Sequence, residues 1–248
     1  MDIWETNSRA TAYTPHPCNA TGLSQCVGAH CGRQDKYSSV CDKDGCDFNP
    51  HRLGQVSYYS PDQTVDTSRR FTVVTQCLTT TTGDVNATRP GDLREIRRLY
   101  VQDGEVIDNA QVRVQGIDRG NSMTDEFCVQ EKKDFGDVNA FRAQGGKKGM
   151  GDALRHDMVL VFGVWNDAGS AMKWLGGTWP ANSDPTKDPG TRRGPCKADE
   201  DTAEDILTNS LWISVKFIEC QKWRDWVNIP EEDYPTVRKK SGKGEVDS

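Results

Sequence analysis

The 248-residue sequence has no long hydrophobic run. Its longest apolar stretch covers residues 158–164, and Gly163 interrupts it. Seven residues cannot cross a bilayer, which takes about 20, so a spanning helix is excluded and no membrane partner is expected. Positive charge is also in short supply. Lys and Arg total 31 against 37 Asp and Glu, giving a net charge of -6 and a pI near 5.3. Phosphate binding needs net or clustered positive charge, so no nucleic-acid partner is expected. Residues 1–15 lack both a basic segment and an apolar core, so they carry no signal peptide. No tight Cys-x-x-Cys pair occurs either, which weighs against a zinc site.

Cysteine itself is plentiful. Of nine, Cys18, Cys26, Cys31, Cys41 and Cys46 crowd into one segment, at spacings of eight, five, ten and five. A disulfide framework and a zinc site compete for that cluster, with His30 beside Cys31 as a possible ligand; the spacings favour disulfides, and no metal or cofactor is expected. Disulfides and the sequons Asn19-Ala20-Thr21 and Asn86-Ala87-Thr88 fit an oxidising compartment. The odd cysteine count leaves at least one thiol without a partner inside the chain, which suggests missing sequence upstream of Met1.

The composition is polar, with 35% hydrophobic residues and a mean hydropathy of -0.73. That suits strands joined by long loops better than a helical bundle. Residues 1–5 read as the end of a strand. Residues 6–60, rich in Gly, Asn, Asp, Ser, Pro and Cys, read as cross-linked loops. Residues 70–78 read as a strand. Residues 95–102 and 105–107 flank Asp103-Gly104 as a hairpin, and 108–123 is loop. Residues 124–135 read as a helix capped by Ser122 or Thr124 and closed by Gly136, with helical turns near 138–143 and 153–155. A buried strand is expected at 157–165, an exposed loop at 180–195 and a strand at 211–218. The expected fold is all-β, a single sandwich.

Asp2 and Glu5 lie three residues apart beside Trp4. Glycosidases need two carboxylates across the scissile bond, about 5–5.5 Å apart for retention. On a regular strand these two positions face opposite ways; a bulge between them would bring both to one face. Two solvated surface charges are the plainer alternative.

The runs MDIWETNS, TPHPC, CDKDGCDFNPHRLG and FTVVTQ, continued by YVQDG, DEFC, MVLVFGVWND, MKWLGGTWPAN, PGTRRGPC and VKF, resemble the fungal family 7 glycoside hydrolases. These are cellobiohydrolases and endoglucanases that cut cellulose with retention. The resemblance covers residues 1–218 and implies a partial, concanavalin-like β-jelly-roll sandwich with long disulfide-linked loops and a few short helices. It implies the C-terminal portion of a catalytic domain, with 219–248 as a divergent charged tail. The family's Glu-x-Asp-x-x-Glu motif places Asp2 and Glu5 at its last two acidic positions. Glu5 would be the acid/base, Asp2 would tune the nucleophile, and the nucleophilic Glu would precede Met1, leaving the chain as written inactive. His16 matches an active-site histidine.

By the same resemblance Trp165 and Trp174 would be sugar platforms, with core packing the alternative for Trp165, and Asp44, Asp47, Arg52, Arg193 and Lys36 would line product sites, with a salt-bridged loop cluster the equal alternative for Asp47 and Arg52. Trp4 and Trp179 read as packing residues, and His30, His51 and His156 as surface residues. The implied disulfides are Cys18–Cys41, Cys26–Cys31 and Cys46–Cys128. Cys196 would have its partner upstream, while Cys77 and Cys220 would pair with each other or stay as thiols. The retained segments 108–156 and 176–196 suit a cellobiohydrolase rather than an endoglucanase. Cellulose or cello-oligosaccharides would be the partner of an extracellular monomer. The alternatives are a non-catalytic carbohydrate-binding sandwich and a non-functional gene fragment.

Overall fold

The computed structural model describes residues 1–196 except 21, 23, 85, 157, 166 and 168. The expected strand at 211–218, Cys220 and the charged tail lie outside the described residues.

Two strands, β1 (Asp2–Thr6) and β2 (Thr11–Thr14), form an antiparallel hairpin. β2 corrects the loop reading of residues 6–60. Its four residues, TAYT, are all buried, and β-branched and aromatic side chains favour a strand once the surroundings cover them. Short parallel strands β3 (Tyr59–Ser60) and β4 (Val65–Asp66) follow. β5 (Thr72–Thr79), β6 (Leu93–Gln102), β7 (Glu105–Asp108) and β8 (Ser122–Met123) make a four-stranded antiparallel sheet. The β6–β7 hairpin turns at Asp103-Gly104, both with positive φ, as a tight two-residue turn requires.

Helix α1 (Asp125–Asp134) begins at Thr124, whose side chain accepts from the Phe127 amide. Asp125 and Glu126 sit in its first turn and Lys132 and Lys133 in its last, each complementing the helix dipole. Two more helices follow, α2 (Ala140–Ala143) and α3 (Gly146–Leu154). α3 is longer than expected because burial of Lys147, Met150 and Gly151 overrides three glycines. Helix α4 (Lys173–Gly176) is the last helix among the described residues.

One core joins the hairpin to the sheet. Phe48, Leu53, Ile96, Tyr100, Met123 and Phe141 are among its fully buried members. Phe48 stacks on Tyr13 at 5.4 Å and meets Phe127 at 5.3 Å. Arg98, on the inward face of β6, is also fully buried. Its guanidinium lies 4.6 Å over the Tyr13 ring and donates to the carbonyl of Ile3, tying β1 to the sheet.

The buried strand expected at 157–165 is not formed. Residues 158–165 carry no strand, and Val159 is 88% exposed. An apolar run is buried only when another surface covers it, and none of the described strands pairs with this one.

Candidate active site

The β1–β2 hairpin contains a bulge. Asp2 pairs with Thr14 and Glu5 with Ala12, so three steps on β1 face two on β2, and the register shifts between Asp2 and Glu5. The extra residue turns both carboxylates to one face. Thr14 donates its hydroxyl to Glu5 Oε2 at 3.0 Å. Asp2 Oδ2 meets His16 Nε2 at 2.8 Å.

A second run supports this hairpin. Phe48 bonds back to Tyr13, the Cys46 amide donates to the Pro15 carbonyl, and the Asp42 amide donates to the Pro17 carbonyl. Residues 41–48 therefore track residues 13–18 in the opposite direction. The carbonyl of Asp42 accepts from His16 Nδ1 at 2.9 Å. A carbonyl can only accept, so Nδ1 carries hydrogen and Nε2 faces the Asp2 carboxylate. The doubly protonated ring satisfies both partners.

The two carboxylates are driven apart electrostatically. The hydrogen bond from His16, with the ring's charge, holds Asp2 below the usual carboxylate range although burial opposes it. Burial pushes Glu5 up, the Asp2 charge adds to this, and Thr14 and His16 oppose it; the balance lies at about 7. Burial disfavours a charged His16, but Asp2 outweighs burial and the ring's pKa is raised. Two carboxyls in such different settings are the arrangement that divides acid from anion.

Asp47, Arg52 and Arg193 meet beside this array in a buried network. Arg52 bonds to Asp47 at 2.5 Å and to Asp137 at 2.8 Å, and also pairs with Glu131. Its Nε donates to the Gly190 carbonyl, and its side chain is only 3% exposed. Arg193 takes the other Asp47 oxygen at 3.0 Å. Burial opposes the Asp47 charge, yet Arg193 and Arg52 hold its pKa well below normal. In this arrangement the network braces the loops, and the Arg52 guanidinium is already committed. Lys36 and Asp44 pair with each other at 2.8 Å nearer the surface.

The Trp165 and Trp174 rings stand 5.4 Å apart, tilted by 49°. Trp165 is 63% exposed, and Trp174 packs against Ala10, Ala12 and Leu175. Trp4 packs edge-on against Phe71 at 6.1 Å. Trp179, expected to pack, is exposed. His51, expected at the surface, is half-buried and approaches the Arg192 carbonyl at 3.4 Å. Burial lowers its pKa.

Disulfides join Cys18 to Cys41, Cys26 to Cys31 and Cys46 to Cys128. The third fastens residues 41–48 to α1. Cys196 accepts a hydrogen bond from Asn7, and Cys77 is exposed. No group of three metal-ligating side chains occurs among the described residues.

Sequence reasoning missed Thr14, Asp42, Glu131 and Asp137. Only Thr14 left a signal, since it stands two residues before His16 in an extended run.

The sequence model of glycosyl hydrolase family 7 matches residues 1–223. The chain belongs to this family. A family 7 cellobiohydrolase from Daphnia pulex is 41% identical with a TM-score of 0.74, matching 79% of this chain and 44% of its own. An endoglucanase I complexed with cellobiose is 35% identical, TM-score 0.66, over 83% of this chain and 44% of its own. A cellobiohydrolase from Melanocarpus albomyces complexed with cellotetraose is 31% identical, TM-score 0.71, over 83% and 45%. The chain thus spans less than half the length of these structures. Its fold is that of the family's β-jelly-roll, and the family is one of cellulases, both cellobiohydrolases and endoglucanases.

Proposed function

We propose that this chain carries the acid/base part of a retaining cellulase, acting on β-1,4-glucan in the manner of a cellobiohydrolase. The observation that carries the reading is the bulged hairpin that turns both carboxyls to one face, Glu5 against the Thr14 hydroxyl and Asp2 against His16. Glu5 keeps its proton to about pH 7 while Asp2 is held ionised by His16. Glu5 would protonate the leaving glycosidic oxygen and later take a proton from water. Asp2, fixed as an anion, would orient and tune the nucleophile. The resemblance assigns that nucleophile to the position before Met1, so the proposal gives this chain sugar binding and proton delivery, and gives bond formation to a glutamate at that position. Trp165 and Trp174 offer indole faces to glucose rings, and the exposed Lys36 with the partly exposed Asp44 offers polar groups to sugar hydroxyls. An extracellular setting is part of the proposal; three disulfides and two exposed sequon asparagines, Asn19 and Asn86, support it.

The test is titration of the chain with cellotetraose, followed by indole and carboxyl NMR signals, with hydrolysis products read for anomeric form. Binding is expected, and Trp174→Ala should weaken it roughly two- to ten-fold. Absence of binding at millimolar cellotetraose, or cleavage with inversion, would contradict the proposal.

A further inference from the structure

The acid/base array rests on a surface that has no side chain. Residues 42–46 pass behind Thr14 and His16, held by the Asp42 and Cys46 amides and by the Cys46–Cys128 disulfide. In the middle of this run Gly45 has φ +66. A Cβ there would stand 2.4 Å from Thr14 Cγ2, 2.8 Å from His16 Cε1 and 2.9 Å from His16 Nδ1. Those distances are impossible without displacement. The two side chains in the way are the two that hold the carboxylates, Thr14 on Glu5 and His16 on Asp2. Neither can yield freely. Thr14 is buried and β-branched, so its rotamer is restricted, and His16 is bonded through both ring nitrogens.

We propose that Thr14 and Gly45 are positioning residues for the acid/base site. Thr14 fixes the Glu5 carboxyl through its hydroxyl, and the bare backbone of Gly45 sets Thr14 and His16 side by side at the spacing of Glu5 and Asp2. The inference rests on the acid/base reading of Glu5. Neither residue needs to touch substrate. A hydroxyl donating to the ionised carboxylate favours the charged form, so Thr14 limits how far burial can raise Glu5. The charges that act on Glu5 come from Asp2, His16 and Asp47, and the substitutions below change none of them.

The experiment is a carbon-13 NMR titration of the Glu5 carboxyl and the His16 ring in the full chain, for wild type, Thr14→Val, Thr14→Ser, Gly45→Ala and Gly28→Ala. Gly28 has φ +58 but nothing within 4 Å of its Cβ position, so Gly28→Ala imposes backbone strain without the contact. Thr14→Val should raise the Glu5 midpoint by about one pH unit, and Thr14→Ser should restore it. Gly45→Ala should raise the Glu5 midpoint and lower that of His16, as both holding contacts loosen, while Gly28→Ala leaves both in place. An unchanged Glu5 midpoint in Thr14→Val, with near-UV circular dichroism native, would overturn the proposal. So would equal shifts from Gly28→Ala and Gly45→Ala. A wild-type Glu5 titrating in the ordinary carboxylate range would instead remove the acid/base reading itself.

Discussion

Replacing Glu5 by Gln should stabilise the protein, and only at high pH. Folding places the carboxyl in a setting that raises its pKa from 4.5 to about 7. The folded state therefore holds the proton more tightly than the unfolded chain. Below pH 4.5 both states are protonated and Glu5 imposes no penalty. As pH rises from 4.5 to 7 the unfolded chain ionises first, and stability falls. Above 7 the full penalty is present, up to about 3 kcal/mol for this shift. Gln stays neutral throughout and can still accept the Thr14 hydrogen bond. The difference in unfolding free energy between Glu5→Gln and wild type should thus grow by up to about 3 kcal/mol between pH 4 and pH 8. Urea melts at both pH values measure it, with every other titrating group shared by the two proteins. A difference that does not change with pH would refute the reasoning, because its source is the ionised Glu5 carboxylate, which burial and the Asp2 charge both penalise in the folded state.

Two further outcomes are expected. Arg52→Ala leaves Asp47 and Glu131 buried without their shared cation, so urea unfolding should show a loss of about 3–5 kcal/mol; a loss below 1 kcal/mol would mean the network is not the brace it resembles. Val161→Lys places a charge in the exposed apolar run at residues 158–164, and light scattering should show slower aggregation with an unchanged urea midpoint; a lowered midpoint would show that the run is packed in solution.

The sequence made some elements legible because their causes are local. Asp103-Gly104 supplies the φ values that a two-residue hairpin needs, and Thr124 with Asp125 and Glu126 caps and charges a helix start. The pairing of Asp2 with Glu5 was legible as a requirement, since only a bulge could bring both to one face, and the hairpin register contains that bulge. Other features depend on distant chain. β2 looks like loop because its burial is provided by Phe48 and the sheet. The partners of Arg52 at Glu131 and Asp137 are 79 and 85 residues away, and no spacing rule joins them. Gly45 reads as an ordinary turn glycine until Thr14 and His16 are seen against it. The run at 158–165 shows the opposite failure: its composition signals burial, but composition does not supply the surface that would cover it.

The most direct measurement is the wild-type titration of the Glu5 carboxyl by carbon-13 NMR, with Asp2 followed in the same spectra. The account predicts a Glu5 midpoint near 7 and an Asp2 midpoint below the normal carboxylate range. Glu5 and Asp2 titrating together near pH 4 would contradict it, because two equivalent surface carboxylates cannot divide the roles of acid and anion.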